Sequence, residues 1–227
     1  METELIKPII RVGNSAGVLV PKNWINGKAK VELIVKPINI ERDIFEILAP
    51  YLKDIIGIYL VGSYARGEQT ERSDIDVLAI TSGKSGRIKR ERYDILLITK
   101  DDIDNAVKNN ALPIIPMLRE VKVIINKKLV EQYENIGLDK KNLRFYIETG
   151  RSILRVNRSS IDLEKQIGPT CGDAVAYSLI LRLRSAYIID CLIKGKKWSN
   201  KEFLGIVKRV SGSLRAYGGY LRVKDEK

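Results

Sequence analysis

The sequence predicts an α+β protein with an N-terminal β-hairpin unit, a central sheet with helices on one face, and a C-terminal helical bundle. Three observations lead to this fold class. The first 40 residues hold strand-like runs around a Gly-rich turn, the middle of the chain holds apolar runs of strand length, and the last third has helical periodicity. The three expected parts are residues 1–39, 40–130 and 131–227.

The composition of the 227 residues limits the chemistry. Histidine is absent, which excludes His-based acid–base catalysis and His metal ligands, so a carboxylate or a bound metal must do any proton work. No run approaches the ~18 apolar residues of a membrane span, and the N-terminus has no secretory signal pattern. The expected location is therefore cytoplasmic, with no membrane partner. Cys171 and Cys191 match no metal spacing and are expected to be reduced and buried.

The formal net charge of +12 is unevenly distributed along the chain. Residues 131–227 carry nineteen Lys or Arg and eleven Asp or Glu, whereas residues 41–130 carry fifteen and fourteen. A basic flank indicates a polyanionic partner such as nucleic acid, and a Lys-rich solubilising surface is the alternative.

The N-terminal part has strand-like runs at residues 6–12, 17–20 and 31–35, with residues 13–17 expected to form turn material. Forty residues are too few to bury a core alone, so this part must pack on the rest of the chain or pair with another copy. The text IIRVGNSAGVLVPKNW resembles the AbrB-like swapped-hairpin DNA-binding modules, which share Arg-x-Gly-Asn-Ser-x-Gly-Val followed by Pro-Lys. The resemblance implies a homodimer through residues 1–39; a dimerisation or docking hairpin without nucleic acid is the alternative. The candidates for facing DNA phosphates are Arg11, Lys22, Lys28 and Lys30.

The most informative stretch is VGSYARGEQTERSDIDVLAI, which begins at Val61. Residues 40–53 before it have helical spacing and are expected to cover one face of the sheet, and residues 55–61 read as a short buried strand. Asp74 and Asp76 open a second strand-like run, and residues i and i+2 of a strand point to the same face. Two carboxylates this close repel unless a cation lies between them, and Mg²⁺ suits oxygen ligands and phosphates.

Gly62 and Ser63 supply the other half of a phosphate site. Glycine lets the backbone approach a ligand closely, and a helix beginning at residues 63–66 would favour an anion. A Gly-Ser turn alone is usually just a turn, and an Asp-x-Asp alone is usually a solvated strand end. Their order and spacing together indicate metal-assisted phosphate chemistry.

The motif Gly62-Ser63-x-Ala65-Arg66-Gly67, followed by Ser73-Asp74-x-Asp76-Val77, resembles the signature of the minimal nucleotidyltransferases of the DNA polymerase β superfamily. The resemblance implies a polymerase-β-like sheet over roughly residues 40–130 and a third carboxylate on a neighbouring strand, for which Asp94 is the best match. An ordinary strand-entry Asp is the alternative at that position. The implied reaction moves a nucleoside monophosphate from an NTP, ATP by default, to an acceptor hydroxyl.

The roles implied by this resemblance fall on seven residues. Two Mg²⁺ ions and the catalysis are assigned to Asp74, Asp76 and Asp94. Nucleotide binding is assigned to Gly62, Ser63, Arg66 and Ser73. For Arg66, a structural role that ties the motif helix to an acidic neighbour is the preferred interpretation, and phosphate contact is the other.

The segment TSGKSGRIKRER, residues 81–92, is expected to be a loop between the strands of Asp76 and Asp94. Its basic residues are interpreted either as contacts to the triphosphate or acceptor, or as a solvated hairpin; they are Lys84, Arg87, Lys89 and Arg90. Further on, residues 101–109 predict a helix, Pro113 and Pro116 are expected to break the chain, and residues 121–125 predict a strand that closes the sheet.

The C-terminal part predicts a helical bundle, with helices over residues 139–163, 174–194 and 199–210. The first helix has an apolar stripe of Leu143, Ile147, Leu154 and Ile161. An adjacent stripe of arginines is a candidate for nucleic-acid contact, with an ordinary basic surface as the alternative: Arg144, Arg151, Arg155 and Arg158.

Two functions follow as hypotheses. The first is a Mg²⁺-dependent nucleotidyltransferase whose acceptor is a hydroxyl of RNA or of a protein, the latter as in an antitoxin-like enzyme that modifies its toxin, or a small molecule. The alternative is a dimeric DNA-binding transcriptional regulator whose transferase-like domain senses nucleotide.

Overall fold

The computed structural model describes residues 4–34, 38–71, 73–109, 112, 114–133, 136–168 and 172–225. The chain divides into two compact units, Met1–Asn39 and Ile40–Lys227. The expected boundary near residue 130 lies inside the second unit and stays a prediction.

The first unit contains a short antiparallel hairpin of β1 (Ile10–Val12) and β2 (Ser15–Gly17). Residues 15–17, expected to be turn material, are a strand, because Gly13 takes a φ of 58° at the first turn position and lets two residues close the hairpin. Residues 31–34, expected to be a strand, have no partner strand among the described residues, and Val35 lies outside them.

None of the described residues in the first unit is buried. Large apolar side chains are exposed, with Ile6 at 75%, Leu19 at 69% and Val31 at 70%. This agrees with the expectation that forty residues cannot bury a core by themselves.

The second unit is built on a five-stranded mixed sheet with strand order β5-β6-β4-β3-β7. The strands are β3 (Ile55–Leu60), β4 (Ile75–Thr81), β5 (Gly86–Arg90), β6 (Tyr93–Thr99) and β7 (Lys122–Ile125). β4 and β6 are parallel and the other neighbours are antiparallel. The segment expected to be a loop between β4 and β6 thus contains an edge strand, β5, because Ile88 packs on the core and its flanking residues stay exposed.

The α+β class is confirmed, and helices lie on both faces of the sheet rather than on one. On the first face, α1 (Ile40–Leu48) packs Ile44 and Leu48 against alternate residues of β4 and β6. On the second face, α3 (Lys100–Asn109) and α4 (Ile114–Arg119) cover Leu78 and Ile80. The strands are apolar on both sides because both sides are covered.

Pro116, expected to break the chain, is the third residue of α4. N–H groups of a first helical turn have no intrahelical partner, so proline loses no hydrogen bond there. Pro113 lies outside the described residues.

The helices after β7 are α5 (Lys127–Glu131), α6 (Lys140–Ile167), α7 (Asp173–Ile193), α8 (Asn200–Ser211) and α9 (Arg215–Asp225). The last three share a core that includes Tyr187, Phe203, Val207 and Tyr220. Ile115 of α4 packs on Leu192 of α7, which joins this helical region to the sheet. Cys191 is a free, buried thiol, as expected, and Cys171 lies outside the described residues. Within the described residues, no helix is long and apolar enough to cross a membrane.

The buried face of α6 differs from the predicted apolar stripe. Ile147 and Leu154 of that stripe are 46% and 52% exposed. The buried positions include two asparagines, Asn142 and Asn157, and the Asn157 amide donates a hydrogen bond to Ser178 Oγ on α7. Polar contacts to α7 therefore orient this helix, which an apolar periodicity does not reveal.

Candidate functional site

Gly62 forms the turn that follows β3 and begins α2 (Gly62–Arg66). Its φ is +68°, and a Cβ atom there would clash with Asp76 Oδ2 and lie 3.1 Å from Asp76 Cγ. The Val61 N–H also donates to the Asp76 carbonyl oxygen at 2.9 Å. Only glycine allows both this backbone conformation and this approach, so the turn lies directly against a carboxylate.

The three aspartates predicted for the site lie at the beginning of two parallel strands. Asp76 and Asp94 are the second residues of β4 and β6 and are direct partners in the register. Asp74 comes two residues before Asp76, just ahead of β4. Burial raises the pKa of Asp76, and the negative charges of Asp94 and Asp74 raise it further. The arrangement therefore concentrates negative charge that a cation would relieve.

Two positive charges partly offset the rise in the pKa of Asp76. Lys224 and Arg66 both act to lower the pKa of Asp76, Lys224 with the larger effect. Lys224 lies on α9, far along the chain. Sequence reasoning missed it, because no motif or spacing connects that helix to the aspartates.

Asp94 is engaged by a residue of the edge strand. Arg87 Nε donates to Asp94 Oδ1 at 2.6 Å, and Arg87 Nη2 donates to Asp94 Oδ2 at 2.5 Å. The hydrogen bond to Arg87 lowers the pKa of Asp94. Among the described residues, no three Asp, Glu, Cys or His side chains are gathered closely enough to hold a metal ion as they stand. The oxygen-only donor set nevertheless fits Mg²⁺, because Asp76 and Asp94 are neighbours across the strands.

Arg66, at the end of α2, is surrounded by partners and its side chain is 13% exposed. Its Nε donates to Glu68 Oε2 at 2.9 Å and its Nη1 donates to Glu120 Oε2 at 2.8 Å. Its guanidinium carbon lies 3.8 Å from the ring centroid of Trp198. This favours the structural interpretation of Arg66 over phosphate contact, because two of its nitrogens already bind carboxylates and its ring-facing side packs on Trp198.

Glu68 extends this network into the helical region. It accepts hydrogen bonds from Ser199 Oγ at 2.7 Å and from the Asn200 N–H at 2.9 Å, at the beginning of α8. Glu120, whose side chain is 5% exposed, has its pKa raised by burial to about 7. Sequence reasoning missed Glu68, Glu120 and Trp198, although it predicted a helix from residue 199.

The other nucleotide-binding candidates are Ser63 and Ser73. Ser63 follows Gly62 in α2. Ser73 Oγ accepts a hydrogen bond from the Thr70 N–H at 2.8 Å and so closes the turn that leads to Asp74. Ser73 therefore already has a local structural contact.

The nucleic-acid candidates lie in both units and are all exposed. On α6 the four arginines face away from the buried asparagines, and Arg144 pairs with Glu148 at 2.8 Å. In the first unit, Arg11 donates to the Gly13 carbonyl and Lys30 pairs with Glu32 at 3.5 Å. Lys22 and Lys28 are exposed as well, and nucleic-acid contact by any of these residues stays a prediction.

A family model matches the part of the chain that contains the site. Residues 41–144 match the family model of the nucleotidyltransferase domain, a range that contains the Gly62 turn and all three aspartates. A nucleotidyltransferase-like protein from Exiguobacterium sibiricum 255-15, of known crystal structure, is similar over 70% of this chain at 16% sequence identity, with a TM-score of 0.34. The similar region spans 58% of that protein's chain. The search of curated proteins gave no match.

Proposed function

We propose that this enzyme is a Mg²⁺-dependent nucleotidyltransferase that moves a nucleoside monophosphate from an NTP to a hydroxyl group and releases pyrophosphate. The match of residues 41–144 to the nucleotidyltransferase domain supports nucleotidyl transfer. The observation that carries the proposal is the pairing of Asp76 with Asp94 on parallel strands, with the Gly62 turn against Asp76. A carboxylate cluster beside a glycine turn suits a metal-bound triphosphate.

Each site residue then has a task. Asp74 and Asp76 would bind both ions, and Asp94 would bind one of them. When bound there, two divalent ions would stabilise the charge that develops during an in-line displacement. Gly62 and Ser63 would hold the β- and γ-phosphates, and Asp94 would help to take the proton of the acceptor hydroxyl. Arg66 would hold α2 in place.

RNA is the acceptor class that the charge distribution favours, with ATP as the default donor. Residues 131–227 carry most of the excess positive charge, and the four arginines on α6 are exposed. Guanidinium groups bind phosphates through two parallel hydrogen bonds. A protein hydroxyl, as for an antitoxin-like enzyme, is the second acceptor class.

The exposed apolar surface of residues 4–34 supports a homodimer through the first unit. A second copy would cover exposed apolar side chains such as Ile6 and Leu19. Removing these side chains from water would stabilise the dimer. Arg11, Lys22, Lys28 and Lys30 would then form a basic surface on the paired hairpins. This is also the observation that favours the second function, a dimeric DNA-binding regulator that senses nucleotide.

The transferase proposal is tested by calorimetric titration of each NTP with Mg²⁺ into the wild type and Asp76→Asn. We expect metal-dependent binding of at least one NTP to the wild type and its loss in the variant. Asp101→Asn, which changes an exposed aspartate at the beginning of α3, is the matched control and should bind like the wild type. Equal binding by Asp76→Asn and the wild type would reject the assignment.

The regulator alternative is tested in the full chain with Arg11→Ala and Lys22→Ala combined. Loss of DNA binding, together with a shallower dependence of affinity on salt, would support it, because each phosphate contact contributes to that slope. Nucleotide binding unchanged in the same variant would show that the two functions use separate residues.

A further inference from the structure

The edge strand β5 presents two cations to the carboxylate side of the sheet. Lys89 is the register partner of Asp94, and Arg87 lies two residues earlier on the same strand. Side chains two apart in a strand share a face, so both point to the side where Asp94 lies. Ile88 and Arg90 point to the other face, where Ile88 packs with the α1 side of the core.

Arg87 binds Asp94 in a way that competes with a metal ion. Its two nitrogens use both oxygens of the carboxylate, at 2.6 and 2.5 Å. A divalent ion on the same carboxylate would lie next to the guanidinium, and like charges at that distance repel. In this structure, therefore, Arg87 occupies the carboxylate that the proposed function assigns to a metal ion.

The Arg87 side chain has room to leave this position. It is 61% exposed, whereas the Asp94 side chain is 16% exposed. A guanidinium binds a phosphate with the same paired geometry that it uses for a carboxylate. A triphosphate that arrived beside Asp76 would therefore offer Arg87 an alternative anion of higher charge.

We propose that Arg87 couples metal loading to nucleotide binding: it holds Asp94 while the triphosphate is absent, and moves to the phosphates when the NTP binds, which frees Asp94 for the metal. This inference rests on the proposed function, because it assumes a metal-bound triphosphate at these aspartates. The NTP and the metal would then bind cooperatively. The NTP draws Arg87 away from Asp94, where it competes with the metal, and the metal occupies Asp94, which competes with the phosphates for Arg87.

The test uses Mn²⁺ as the metal probe, with free Mn²⁺ measured by electron paramagnetic resonance, and ATP as the nucleotide. Without nucleotide, Arg87→Gln should bind Mn²⁺ about twofold to fivefold more tightly than the wild type, the range expected for an exposed ion pair. With Mn²⁺ present, the same variant should bind ATP at least about tenfold more weakly, because a charge-assisted pair is lost. A structural role for Arg87 would not raise metal affinity.

Arg90→Gln is the matched control, because Arg90 lies on the same strand but on the opposite face. It should match the wild type in both measurements. Asp76→Asn and Asp94→Asn separate the two hypotheses. If neither changes Mn²⁺ affinity, the proposed function fails. If Asp76→Asn and Asp94→Asn both lower Mn²⁺ affinity, the proposed function stands. In that case the inference about Arg87 is overturned if Arg87→Gln does not raise Mn²⁺ affinity, or if it leaves ATP affinity unchanged.

Discussion

Replacing Gly62 by alanine should disturb the site, because the added methyl group would meet the Asp76 carboxylate. Gly62 and Gly67 begin and follow the same short helix, α2, and both have positive φ, +68° and +70°. They differ in their surroundings. A Cβ at Gly62 would meet the Asp76 carboxylate, whereas a Cβ at Gly67 would meet nothing within 4 Å. Gly67→Ala is therefore a control that carries the same backbone cost without the clash.

The two costs can be estimated separately. Holding a non-glycine residue in the left-handed region costs about 1–2 kcal/mol, which both variants share. Forcing a methyl group into a packed contact costs about 1–3 kcal/mol more, which applies to Gly62→Ala alone. The free energy of unfolding should therefore fall by about 1–2 kcal/mol in Gly67→Ala and by about 2–5 kcal/mol in Gly62→Ala.

The two variants should also differ in NTP binding, which Gly62→Ala should weaken and Gly67→Ala should keep. Asp76 Cγ lies 3.1 Å from the added carbon, so the carboxylate must move to make room. A displaced Asp76 carboxylate would hold the metal-bound triphosphate less well. Urea unfolding and calorimetric titration with Mg²⁺ and the NTP measure the two effects on folded protein. Equal losses of stability and of NTP affinity in the two variants would refute the close contact between Gly62 and Asp76.

Three other predictions concern the surroundings of the site. Trp198→Leu should reduce the free energy of unfolding by about 2–4 kcal/mol, because packing and the contact with Arg66 are lost. Trp198→Phe should have a free energy of unfolding between those of Trp198→Leu and the wild type, and urea unfolding measures both. Burial raises the pKa of Glu120 from its ordinary value of 4.5 to about 7, so the folded state holds the proton more tightly than the unfolded chain does. The stability of the wild type relative to Glu120→Gln should therefore fall as the pH rises from about 4.5 to about 7, by up to about 3 kcal/mol, and then level off, which urea unfolding at pH 5 to 8 checks. Changing Arg151 and Arg155 together to Gln should leave NTP affinity unchanged. If both contact phosphates, the slope of log RNA affinity against log salt concentration should fall in magnitude by about 1–2, and an unchanged slope would exclude them from the RNA surface.

Local pattern was enough to predict much of the fold and the core of the site. The apolar runs around residues 55–61 and 75–80 predicted β3 and β4, because a buried strand needs only neighbouring apolar residues. The relation of Asp74 to Asp76 also followed from spacing alone, since strand alternation is a property of the backbone. Pairing with Asp94 was available only through the family resemblance, and the register of β4 and β6 brings it beside Asp76.

Patterns failed where polar side chains or exposed elements decide the packing. The edge strand β5 was read as a loop because four of its five residues are exposed and basic or glycine. The orientation of α6 was partly mispredicted, because Ile147 and Leu154 of the apolar stripe are exposed whereas Asn142 and Asn157 are buried. Periodicity counts apolar residues and so misses a face made of hydrogen-bonding groups.

The amino-acid sequence by itself determined the α+β class, the strands of the central sheet other than β5, and the positions of Asp74 and Asp76 at the start of β4. Only the tertiary structure decided what surrounds them: Arg87 on Asp94, the charge of Lys224 near Asp76, and the contacts of Arg66 and Glu68 with Trp198 and α8. The physical reason is distance along the chain. Secondary structure depends on residues a few positions apart, whereas charge pairs and cation–π contacts form between side chains that only the folded backbone brings together.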